Sequence, residues 1–195
     1  MGLFLFPFEI SQSEISRAQW ASLTGVALPS DQSAHMPEIV SDISNLITSV
    51  ASIPVSGAGA LEIPTQAEWE LSALGDRLQH HALYPWPESF PFGEGVSSLA
   101  DDGLRCDRAL TVECGVGLNM VKANPLGRSN QGLYGLGGNV AEWVSDATGY
   151  RLVGGSVDSL SNMLLLSSWV ESDDPQLDAI SPPTGRGVRL VIRTR

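Results

Sequence analysis

Residues 132–146 read Gly-Leu-Tyr-Gly-Leu-Gly-Gly-Asn-Val-Ala-Glu-Trp-Val-Ser-Asp, a run that places clustered glycines, an amide, a carboxylate and a tryptophan side by side. Closely spaced glycines permit positive φ or close backbone approach, and Asn139 tolerates the left-handed region. A turn of this kind leaves carbonyl groups without ladder partners, and Glu142 sets a carboxylate beside them. Carbonyl and carboxylate oxygens are the ligands of a hard cation such as calcium. In the alternative reading, Glu142 accepts backbone N–H bonds and Trp143 belongs to the core.

Other residues able to do chemistry are few. Cys106 and Cys114, the two cysteines, are eight positions apart in a Gly-rich loop. That separation allows a disulfide, although two thiols in a cytosolic chain are by default free. Neither stands in a CxxC motif, and His35, His80 and His81 show no zinc-ligand spacing around them, which argues against structural zinc. Ser156 has no histidine near it in sequence and reads as a turn hydroxyl bonded to backbone.

The elements that must position these groups are short. The apolar opening Gly2-Leu3-Phe4-Leu5-Phe6-Pro7-Phe8 reads as a first strand, too short for a membrane span and without the basic leader of a signal peptide. A first helix follows in the Ser13–Trp20 segment, capped by Ser13 or Ser16. Ile39, Ile43, Leu46, Ile47 and Val50 fall at helical spacing and predict an amphipathic helix over 38–50. The stretch 52–61 reads as a turn region. Thr65, with Glu68 three residues on, is the capping box of a third helix. From 78 to 132 periodicity fades, and a long irregular stretch inside a compact domain is usually functional or metal-held. Short strands are expected at 150–153, 163–170 and 188–193, with a polar loop over 171–187.

At 195 residues the chain is one domain by length, spanning 1–195, and long enough for a real core. It carries 22 acidic against 11 basic residues, a net charge of −11. That balance argues against nucleic acid, whose phosphates require Lys and Arg, and against anionic membranes. It suits a cation or a basic partner surface. The expected location is the cytoplasm or a particle assembled there.

Five segments, in order, resemble the formylglycine-generating-enzyme (sulfatase-modifying factor) family. Ile63-Pro64-Thr65-Gln66-Ala67-Glu68-Trp69-Glu70-Leu71-Ser72-Ala73 resembles its "LPTEAEWEYAA", and Tyr84-Pro85-Trp86 its "YPWG". The run 132–146 resembles "GLYDMGGNVWEWVSD", Val153-Gly154-Gly155-Ser156 resembles "RGGSW", and Gly185-Arg186-Gly187-Val188-Arg189-Leu190 resembles "GFRLA". The Ser13–Trp20 segment is similar to the family's "EVT..QW". The resemblance implies an α+β, C-type-lectin-like fold of the sulfatase-modifying-factor type, with short helices, short antiparallel strands and much irregular chain.

It also implies a chemistry that this chain departs from. Members that oxidise a substrate cysteine carry GGSxxCxxxxC, whose two thiolates bind copper; soft thiolates are what Cu(I) requires. The same spacing here lands on Ser159 and Leu164, and the tryptophan of "GNVWEW" is replaced by Ala141. Copper and formylglycine-generating activity are therefore not expected. The family's calcium segment, (N/D)xxGNxxE, maps onto Gly135, Gly138, Val140 and Glu142, with Gly138, Val140 and Glu142 retained as metal positions and the side-chain oxygen at 135 missing. Ser156, Ser159 and Trp169 become the ligand-binding candidates. These features describe a non-catalytic binding or structural module that presents C-terminal loops to a protein or glycan, for instance within a phage virion or tail. The alternative is an enzyme or accessory factor that uses a partner subunit or another metal.

Overall fold

The structure is a computed structural model and describes residues 7–28, 32–55, 59–75, 84–86, 106–164, 169–171 and 183–193. Its helices are α1 (Arg17–Thr24), α2 (Ile43–Ser52) and α3 (Gln66–Leu74). Its strands are β1 (Phe8–Ile10), β2 (Ala60–Glu62), β3 (Ala141–Ser145), β4 (Tyr150–Val153), β5 (Trp169–Glu171), β6 (Arg186–Gly187) and β7 (Val191–Arg193). This is the α+β, C-type-lectin-like arrangement the sequence led us to expect.

Two small sheets organise the chain. In the first, β7 lies between β1 and β2, antiparallel to both, so that Ile192 faces Glu9 on one side and Leu61 on the other. The second has the order β5-β4-β3-β6, with β3 and β4 antiparallel through Trp143↔Leu152 and β6 parallel to β3 through Ala141↔Arg186. Trp143, Leu152, Val188 and Leu190 join Leu46 and Val50 of α2 in one apolar cluster. Trp69 and Ala73 of α3 meet Leu136, Val144 and Val153 in another.

Local chemistry sets the helix starts. Ser16 and Gln19 form a reciprocal capping box on α1, which ends at the left-handed Gly25. Thr65 and Glu68 form the expected box on α3. The second helix begins at Ile43, capped by Asp42, and not near Glu38 as its periodicity suggests. The reason is tertiary: Val40 N–H donates to the Arg186 carbonyl, and the Val40 carbonyl accepts the Trp143 indole N–H at 2.8 Å. Those bonds hold 38–41 extended.

Strand expectations need similar correction. Residues 60–62, read as turn, form β2 because β7 offers them an edge. The strand expected over 163–170 is instead a 3₁₀ turn at Ser161–Leu164 followed by β5. The strand expected over 188–193 is reduced to Val191–Arg193. Of the opening strand, 2–6 lie outside the described residues and Phe8 begins β1. Trp69, Trp86 and Trp143 are buried as expected, and Trp20 packs half-buried on the first cluster. Among the described residues, no helix is long and apolar enough to cross a membrane.

Candidate functional site

The glycine run enters β3 through a turn whose backbone is left-handed at Gly135, Gly138 and Asn139. At Gly138 the requirement is also steric, since a Cβ would lie 2.4 Å from the Leu110 carbonyl oxygen. The turn is tied on both sides. Gly138 N–H donates to the Gly154 carbonyl, Asn139 N–H to that of Leu110, and Val157 N–H to that of Asn139.

Just beyond the turn, Glu142 is buried and held by two groups. Its Oε1 accepts from Arg189 Nη2 at 2.8 Å, and its Oε2 from Arg189 Nε at 3.1 Å and from the Trp69 indole at 2.6 Å. Arg189 is fully buried and also donates to the carbonyls of Ser11 and Tyr134. The three residues come from α3, β3 and the segment before β7, so the ion pair fastens distant parts of the chain.

A second buried carboxylate, Glu14, completes the site. Asn139 Nδ2 donates to Glu14 Oε1 at 3.0 Å, whereas Glu14 Oε2 has no hydrogen-bond partner among the described residues. A Cβ at Gly135 would fall 2.2 Å from Glu14 Cδ, so this carboxylate occupies the place where a side chain at 135 would begin. Burial pushes the Glu14 carboxyl up to about 7; the Glu142 charge adds to the rise, and Arg189 and Asn139 oppose it. A cavity of about 10 Å³, the size of a single water or small ion, is lined by Glu14, Gly135, Asn139, Arg108 and Lys122 among others.

Among the described residues, Glu14 is the one carboxylate in the lining of this cavity, which it shares with the cationic Arg108 and Lys122, and both oxygens of Glu142 are taken by Arg189 and Trp69. The Glu14 carboxylate stands where the missing side chain of residue 135 would begin. Glu14 and Arg189 were given no site role from sequence, although both lie in quoted segments; no local pattern joins residues so far apart. Gly138 and Val140 lie at the turn before Glu142.

The other candidates converge elsewhere. Ser156 and Ser159 are buried and bond to one another: their hydroxyl oxygens are 3.1 Å apart, Ser156 N–H donates to Ser159 Oγ, and Asp158 N–H to Ser156 Oγ. Ser156 is thus a turn hydroxyl, as read from sequence. Leu164 has no exposed surface and packs with Tyr84, Trp86 and Ala109, under the stacked rings of Tyr84 and Trp86. The residues at the two copper positions therefore do not fit copper, since one is a hydroxyl engaged in a turn and the other an apolar core group. Trp169 is in β5, and its side chain lies outside the described residues. So do His80 and His81.

The cysteines correct the default expectation. Cys106 and Cys114 are disulfide-bonded, their Cα atoms brought to 5.9 Å by the 3₁₀ turn Val112–Cys114. The Gly-rich loop folds back on itself closely enough for the bond, which sequence separation could not decide.

Comparison with known proteins places this geometry. The model of the sulfatase-modifying factor enzyme 1-like domain matches residues 4–191. The chain belongs to this family. A mouse relative, inactive C-alpha-formylglycine-generating enzyme 2, is 31% identical over an alignment of 122 residues that covers 57% of this chain and 32% of that protein. The family member described here thus spans about a third of the length of that relative. Among solved structures, PvdO from Pseudomonas aeruginosa superposes with a TM-score of 0.67 at 18% identity, covering 96% of this chain and 81% of its own. Treponema denticola variable protein 1 gives 0.62 at 18% identity, covering 96% and 84%. CarF gives 0.59 at 17% identity, covering 100% and 89%. At these identities the structural likeness concerns the fold alone.

Proposed function

We propose that this chain is a non-catalytic binding module, which keeps the sulfatase-modifying-factor scaffold and uses it to present the loops between Ser156 and Gly187 to a protein or glycan partner. The observation that carries the reading is the fate of the two copper positions. Ser159 is spent on a turn and Leu164 on the core, so no soft-ligand pair remains where the family's oxidative chemistry needs one. A mouse relative whose name calls it inactive supports the same direction. Calcium, in this reading, has a structural role at the turn that carries Gly138, Val140 and Glu142.

A component of a larger assembly, such as a virion or tail, is the specific form we favour. Disulfides are rare in a reducing cytosol and persist on particle surfaces, and Cys106–Cys114 is bonded. Purification of the native particle from its source, with light scattering and mass spectrometry, tests the proposal. A stoichiometric complex supports it and identifies the partner. A free 20.7 kDa monomer that carries copper or iron overturns it in favour of an enzyme.

A further inference from the structure

We infer that the turn clasped by Cys106 and Cys114, together with the adjoining 156–161 turn, is the docking face, and that it takes a basic protein segment bearing aliphatic side chains. This rests on the binding-module reading and narrows it to one surface and one partner chemistry.

Three aliphatic side chains mark the face: Val112 is 48% exposed, Val116 54% and Leu160 57%. Single exposed aliphatics are ordinary on a protein surface, but these are gathered. Val112 N–H donates to the Ser159 carbonyl at 3.0 Å, and Ser161 N–H to Glu113 Oε1 at 2.9 Å, which fixes the two turns side by side. Gly115 N–H closes back onto the Val112 carbonyl and keeps Val116 close to the same surface.

The backbone beneath is held before any partner arrives. Between the cysteines, Arg108, Ala109, Leu110 and Thr111 are buried, and the Leu110 carbonyl is bonded to Asn139 N–H. Side chains displayed on a cross-linked, bonded turn lose little freedom on binding, which is the condition for aliphatic anchors to yield affinity.

Charge selects the partner. Asp107 and Asp158 are exposed beside the aliphatic residues. In the 106–118 loop the one basic residue, Arg108, is buried. Such a surface repels a second copy of itself and a nucleic acid, and complements a basic segment.

The test is an NMR titration of the full ¹⁵N-labelled chain with a short amphipathic peptide of leucine and lysine, beside the matching peptide of leucine and glutamate. The expected result is saturable shifts confined to amides of 110–118 and 157–162 with the lysine peptide only. Val112→Ser combined with Leu160→Ser, both at exposed positions and neither adding charge, weakens binding at least about tenfold while the remaining spectrum is unchanged. Shifts that map elsewhere, equal binding of the glutamate peptide, or self-association through this face overturn the inference. A native complex that survives the double substitution overturns it too, while leaving the binding-module function standing.

Discussion

Glu142 and Arg189 carry the site at the scale of single residues. Both are buried, and the carboxylate accepts from the guanidinium and the Trp69 indole together. Removing one partner of such a pair leaves the other charged and desolvated. Arg189→Met should therefore cost about 3–5 kcal/mol in chemical denaturation, far more than a surface substitution. Glu14 behaves differently, because its charge is already disfavoured by burial and by Glu142. Glu14→Gln should leave the melting temperature in chelator unchanged or raised, and, on the proposed calcium role, should abolish any calcium-induced rise seen in the parent chain. A calcium-induced shift of undiminished size in Glu14→Gln would remove Glu14 from the cation site. None of this pairing is legible in the sequence, where Glu14 and Glu142 stand far apart. The glycine run announces a turn with a carboxylate beside it, but not which side chain fills the space left at Gly135.

Elements built from local signals were the readable part. The Thr65–Glu68 box and the Ser16 cap lie within one helical turn, so sequence spacing and hydrogen-bond geometry coincide. The start of α2 and the three-residue strands are decided by partners from elsewhere, the Arg186 carbonyl and β7. Glu68 also links its helix to the last strand. Its carboxyl lies below the ordinary value: burial acts to raise it, and Arg193 together with the Thr65 backbone and hydroxyl outweighs that. A depressed carboxyl contributes stability above its unfolded value of 4.5, and loses it as pH falls through the folded value. The melting temperature should accordingly fall below about pH 4.5, and Glu68→Gln should flatten that acid limb. Coincident acid limbs would contradict the assignment. The clasp is testable separately, since Cys106→Ser with Cys114→Ser should cost about 2–4 kcal/mol under oxidising conditions.

For the whole molecule, the retained scaffold and the rebuilt copper positions form one account. The first and last described strands, β1 and β7, pair with each other, and the buried Glu142–Arg189 pair pins the middle of the chain to its end beside the glycine turn. A fold closed this way needs no thiolates at the two copper positions, since Ser159 bonds within a turn and Leu164 packs in the core. The most direct measurement of the central claim is a Cu(I) competition titration of the oxidised chain against a chromogenic bidentate chelator. The account predicts that all copper stays with the chelator at every protein concentration. One equivalent of Cu(I) withdrawn per chain would contradict it, and would restore an oxidative centre to this protein.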